Sequence, residues 1–106
     1  MTKTELKIKI IKGVISRISD GTNNYMCLAL ARIMSSSEIQ DYLKDIQMSE
    51  WKIEDEIRLD LKALKPADAY DGGWFEIDKK GKAKRLKILK TILKQYQDES
   101  TNKQRD

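Results

Sequence analysis

Apolar residues recur along this chain at helical spacing, and that pattern divides it into segments. In the first, Ile8, Ile11, Ile15 and Ile18 fall on one face, with Leu6, Ile10 and Val14 widening the stripe. Lys3, Lys7, Lys9, Lys12 and Arg17 take the remaining positions. Thr2 and Glu5 have the Ser/Thr-x-x-Glu spacing of a capping box, and Asp20-Gly21 supplies a turn signal at the other end. The segment predicts an amphipathic helix, in which Gly13 costs about 1 kcal/mol relative to alanine.

The next segment, Thr22 to Met34, behaves differently. Tyr25 to Ala31 is apolar throughout, which predicts burial on most sides and a central core helix. Leu, Ala and Met dominate it and β-branched residues are scarce, so a helix is favoured over a strand. Thr22 or an asparagine is placed to cap it. Cys27 reads here as a small buried hydrophobe.

Three serines, Ser35 to Ser37, break the pattern, and Ser35 with Glu38 repeats the capping-box spacing. A narrow stripe of Ile39, Tyr42, Leu43 and Ile46 then runs to Met48. Ser49 is placed to cap a further helix, whose buried face is Ile53, Ile57, Leu61 and Leu64, and Pro66 closes it. Its other side carries Glu50, Glu54, Asp55, Glu56 and Asp60, relieved by Lys52 and Arg58, and reads as a solvated acidic face. Residues 66–73 (PADAYDGG) predict a turn or loop, and 74–77 a short extended segment. From Lys82, Leu86, Leu89, Ile92, Leu93 and Tyr96 define a last helix. Residues 98–106 are polar and predict a disordered tail. The expected architecture is therefore all-α: a compact bundle of four to five helices in a single domain over residues 1–97.

Composition narrows the function classes. A length of 106 residues fits one domain that buries its own core. A single cysteine excludes an internal disulfide and fits a reducing, cytoplasmic setting. No apolar run follows a basic start, so no signal peptide is expected. The run from Tyr25 to Ala31 is too short to span a bilayer. Histidine is absent, which removes the commonest general base, the usual nucleophilic triads and most zinc sites. No cofactor is expected, and a non-catalytic role is favoured. The one enzymatic pattern is a carboxylate set, Glu76, Asp78 and Lys80 with Asp68 and Asp71 upstream, which matches the Asp…Asp/Glu-x-Lys arrangement of Mg²⁺-dependent nucleases. That chemistry normally sits on a sheet, and this chain offers little sheet.

The stronger feature is basic. Lys79, Lys80, Lys82, Lys84, Arg85, Lys87, Lys90 and Lys94 fall close together against one acid, Asp78. Helical spacing places Lys80, Lys84, Lys87 and Lys94 on one side, with Lys79, Lys82 and Lys90 spread around the rest. A surface of this kind follows phosphates or docks an acidic protein, and its bland alternative is a solvated lysine face. Arg85 has the planar fork suited to carboxylate or phosphate, or to an internal pair with Glu76 or Asp78. Trp74 and Phe75 read as core closure before a stacking platform. The net charge of +4 permits an anionic partner without requiring one. Residues 36–48 lack the basic side chains of a recognition helix, so no helix-turn-helix is expected.

Tyr25-Met26-Cys27-Leu28-Ala29-Leu30 resembles the aromatic/apolar–Cys-x-Ala-Leu core segment of small tailed-phage proteins, in which a Trp, an Arg and a Leu-rich terminal helix follow. Trp74, Arg85 and Leu89 match that order. The resemblance implies a phage or prophage origin and a host-cytoplasmic setting. It also implies a role as a counter-defence inhibitor or a nucleotide-sequestering protein, often as an oligomer. The expected function is then stoichiometric binding of a host protein or an anionic, nucleotide-like ligand. Its surface would be the 68–80 loop with the start of the last helix: Lys80, Lys84, Arg85 and Lys87 for charge, Tyr70 and Trp74 for stacking. A nucleic-acid-binding regulator is the alternative, and the Mg²⁺ nuclease a second. The narrow stripes leave room for a homo-oligomer.

Overall fold

A computed structural model describes residues 1–64 and 81–105. Among these residues the chain forms five helices and no strand: α1 (Lys3–Ser19), α2 (Met26–Met34), α3 (Ser37–Asp45), α4 (Glu50–Lys62) and α5 (Lys82–Arg105). The all-α, single-domain expectation holds. The extended segment expected at 74–77 lies outside the described residues.

The centre of the bundle is α1, not the apolar run of α2. Leu6, Ile10, Ile11, Val14 and Ile18 of α1 are fully buried, and both α5 and α2 pack along this helix. α5 contributes Ile88, Leu89, Ile92 and Tyr96 to the same core, and α4 adds Ile53, Ile57 and Leu61. α2 buries Met26, Ala29, Leu30 and Met34, while Tyr25 is 48% and Leu28 51% exposed. Burial of Tyr25 to Ala31 on most sides is therefore corrected. A nine-residue helix packed on α1 and α3 covers one face only, and an unbroken apolar run carries no period to say which face that is. Cys27 is half-buried at the edge of that face.

Close approach of α1 and α2 depends on Gly13. A β-carbon at that position would lie 2.7 Å from Ile33 Cδ1, 3.1 Å from Cγ1 and 3.4 Å from Cγ2. The glycine that weakens α1 in isolation is the one that lets Ile33 seat against it.

The helix ends follow local chemistry. Thr2 caps α1, its hydroxyl oxygen accepting from Glu5 N–H at 3.1 Å. Ser36, rather than Ser35, caps α3: its Oγ accepts from Ile39 N–H at 3.4 Å and donates to the Ile33 carbonyl at 2.7 Å. Thr22 does not cap α2, because its N–H and hydroxyl both donate to the Asp20 carboxylate in the turn that Gly21 makes at φ 79°. α3 ends in a Schellman arrangement, with Gln47 N–H donating to Lys44 O and Met48 N–H to Leu43 O. Gln47 takes the left-handed conformation there, at φ 55°. Ser49 stands at the N-cap of α4 in extended conformation.

α5 is 24 residues long, about 36 Å at the α-helical rise. It continues through 98–105, where a disordered tail is expected from polarity. Gln97, Glu99, Lys103, Gln104 and Arg105 are good helix formers, and a helix already nucleated by its buried half propagates through them cheaply. Among the described residues, no helix is long and apolar enough to cross a membrane.

Candidate functional site

One face of α5 is spent on the core, through Ile88, Leu89, Ile92 and Tyr96. At 100° per residue, the positions opposite are Ala83, Lys87, Lys90 and Lys94, separated by four, three and four residues. All four are exposed. With Leu86 and Thr91 on its margins, this stripe lines an open groove of about 690 Å³. Lys87 and Lys94 are seven residues apart, about 10 Å along the axis, with Lys90 between them. An ammonium carries three donors and no acceptor.

The expected basic face is thus redrawn. Lys87 stands with Lys90 and Lys94, and Lys90 had been expected to point elsewhere. Lys84 is exposed but lies about 60° around the helix from Lys87. Arg85 is half-buried on the far side, facing the start of α2, with its guanidinium 5.7 Å from the centroid of the Tyr25 ring. Lys82 Nζ donates to the Ser19 carbonyl at 3.0 Å, so it ties the start of α5 to the C-terminal end of α1, where a cation is favoured by the helix dipole. Tyr70, Trp74 and Lys80 lie outside the described residues, as do Asp68, Asp71, Glu76 and Asp78 of the nuclease pattern. Among the described residues, no group of three His, Cys, Asp or Glu side chains converges to hold a metal ion.

A second polar cluster escaped the sequence reading. Lys7, 8% exposed, reaches Glu56 Oε1 at 3.1 Å and Asp60 Oδ2 at 3.0 Å. Lys3 reaches the same Glu56 oxygen at 3.0 Å. The Tyr96 hydroxyl donates to Asp60 Oδ2 at 2.6 Å, and the Lys7 ammonium sits 5.3 Å from the Tyr96 ring centroid. The cluster joins α1, α4 and α5, and two of the acids expected on a solvated face are part of it. Burial, and then the hydrogen bond to the Asp60 carboxylate, push the Tyr96 phenol far up, so it stays protonated. Burial also pushes the Glu56 carboxyl up, but hydrogen bonds from Lys3 and Lys7, with their charges, outweigh it and hold the group below its ordinary value. Each of these charges meets an opposite charge, which makes the cluster a staple between helices rather than an acid–base pair waiting for substrate. A signal was available: Lys7 falls within the apolar stripe, one turn before Ile10 and Ile11.

Two exposed apolar side chains, Trp51 at 69% and Leu59 at 56%, lie on the outer side of α4. Neither was marked by the sequence pattern. No protein-family model, curated protein or solved structure matches this chain.

Proposed function

We propose that this protein is a non-catalytic binding protein that captures an extended polyanion along α5. The observation that carries the reading is the alignment of Lys87, Lys90 and Lys94 on one exposed stripe of α5, about 10 Å long. A row of ammonium groups at helical rise suits a row of phosphates. An open groove suits a chain that runs past it better than a single nucleotide, which asks for walls on several sides. The partner is therefore read as a nucleic acid held by its backbone, and the action as stoichiometric. Lysines replace counterions on the phosphates, and no bond is made or broken.

The test is fluorescence anisotropy with a labelled oligonucleotide, both as a single strand and as a duplex, at low ionic strength. The triple variant Lys87→Ala/Lys90→Ala/Lys94→Ala should lose more than about tenfold in affinity, since three phosphate contacts are removed. Lys52→Ala/Lys62→Ala, on the exposed side of α4, should bind as the parent does. Equal binding by the parent and the α5 triple variant would refute the assignment.

A further inference from the structure

The outer side of α4 is a surface that the lysine stripe does not use. Ile53, Ile57 and Leu61 turn one face of this helix into the core. Opposite them, Trp51, Asp55, Leu59 and Lys62 follow at intervals of four, four and three residues, the spacing of a single helical stripe. All four are exposed, Trp51 at 69% and Leu59 at 56%. A tryptophan this open leaves most of a large apolar ring in water, where the fold gains nothing from it. Beside it, Trp51, Glu54, Asp55 and Arg58 outline a depression of about 220 Å³. They stand at i, i+3, i+4 and i+7, the four-residue hole into which a side chain of a facing helix packs.

Charge on the same surface is sorted by sign along the axis. Glu50, Glu54 and Asp55 lie in the first half of α4, relieved by Lys52, and Arg58 and Lys62 lie in the second. The remaining acids, Glu56 and Asp60, are turned to Lys3 and Lys7 in the polar staple. Arg58 bonds Glu54 within the helix at 3.3 Å, and Asp55 and Lys62 are the charged members of the exposed stripe itself. A surface with an acid-rich half and a basic half complements itself when a second copy is turned end for end. A parallel copy would set Asp55 against Asp55.

We infer that the outer face of α4 is a self-association surface, on which a second copy of this chain packs antiparallel about a two-fold axis. Trp51 of each copy then lies against Leu59 and the Lys62 stem of the other, and Asp55 of each faces Lys62 and Arg58 of the other. The two sets of contacts are equivalent, as a closed two-fold dimer requires. α4 has 13 residues and is about 20 Å long. One helix face of that length buries less than the roughly 1,600 Å² of a standard interface, so the dimer is expected to be reversible and to form as protein concentration rises. The inference is independent of the polyanion reading.

Sedimentation equilibrium of the full chain, from low to high micromolar concentration, tests this. The average mass of the parent should rise from one chain towards two. Trp51→Ala should weaken association at least about 30-fold, the effect of one hot-spot residue. Glu54→Lys/Asp55→Lys and Arg58→Glu/Lys62→Glu should each be monomeric alone. An equal mixture of the two should regain a two-chain species, because one face is then mainly basic and the other mainly acidic. Circular dichroism should show every variant as helical as the parent. A parent that stays monomeric throughout overturns the inference, as does association that Trp51→Ala leaves unchanged. Lys87→Ala/Lys90→Ala/Lys94→Ala should associate as the parent does. Loss of association in that variant would set the acidic half of α4 against the lysines of α5 instead, and the two-fold contact falls.

Discussion

Gly13→Ala has two opposed consequences, and the contact geometry decides between them. In the middle of α1 the substitution restores helix propensity worth about 1 kcal/mol. Against this, the new methyl would meet Ile33 at 2.7 Å from Cδ1 and 3.1 Å from Cγ1. Cδ1 is the flexible end of the side chain and can turn aside. Cγ1 cannot do so freely, because a β-branched residue in a helix holds one χ1 rotamer strongly, and Cγ2 already stands at 3.4 Å. Overpacking of this kind typically costs about 1–3 kcal/mol, so the net expectation is destabilisation of about 1 kcal/mol. The sign should reverse when Ile33 is removed. In an Ile33→Ala background the methyl has room, and Gly13→Ala should stabilise by up to about 1 kcal/mol. The coupling energy between the two sites is then about 2 kcal/mol. Urea denaturation of the four proteins of the cycle, followed by far-UV circular dichroism, measures it, provided the m-value stays constant across the set. Stabilisation by Gly13→Ala in the parent background, or simple additivity of the two changes, would refute the close α1–α2 approach.

Further expectations concern the polar staple and the α3 terminus. Tyr96→Phe keeps the ring packing but leaves Asp60 without the hydroxyl donor 2.6 Å away, and should cost about 1.5 kcal/mol in urea denaturation, the low end for a hydrogen bond to a charged group. Glu56 ionises more readily in the folded state than its ordinary value of 4.5, so the unfolded chain binds more protons as the pH falls through that value. Its contribution is complete above that pH and is lost as the pH drops through the lower folded value. Lys7→Met should therefore make the acid-side loss of stability shallower, read as the urea midpoint between about pH 3 and 6. Gln47→Gly should stabilise the protein by up to about 1 kcal/mol, because the left-handed position after α3 carries a β-carbon penalty that glycine lacks. A lower urea midpoint for that variant would contradict the Schellman geometry.

Helix identity was legible wherever apolar residues recurred at fixed spacing. α4 buries the face its period predicts, whereas α1 leaves Ile8 and Ile15 half-buried and centres its buried face on Leu6, Ile10 and Val14 with Ile11 and Ile18, and α5 leaves Leu86 and Leu93 half-buried and adds Ile88. Legibility failed where that signal was missing or read alone. Tyr25 to Ala31 has no period, so its exposed side, with Tyr25 and Leu28, was hidden. Glu56 and Asp60 were assigned to solvent because the pattern within α4 does not register Lys7, a residue more than 45 positions earlier that packs against them. Local capping patterns fixed Thr2 correctly but slipped by one residue at Ser36, because three serines in a row offer equivalent chemistry and the Ile33 carbonyl selects among them. Within the candidate surface, the lysines were visible as a cluster, but their grouping was not. The helix register that buries Ile88, Leu89, Ile92 and Tyr96 brings Lys90 into line with Lys87 and Lys94 and turns Arg85 away toward Tyr25.

The most direct test of the polyanion surface is the salt dependence of oligonucleotide binding, measured for the parent and for Lys90→Ala. Three lysines on three phosphates of a single strand should give a log–log slope of about −2, and removing Lys90 should reduce its magnitude by about 0.7. A slope near zero, or one that Lys90→Ala leaves unchanged, would contradict the account.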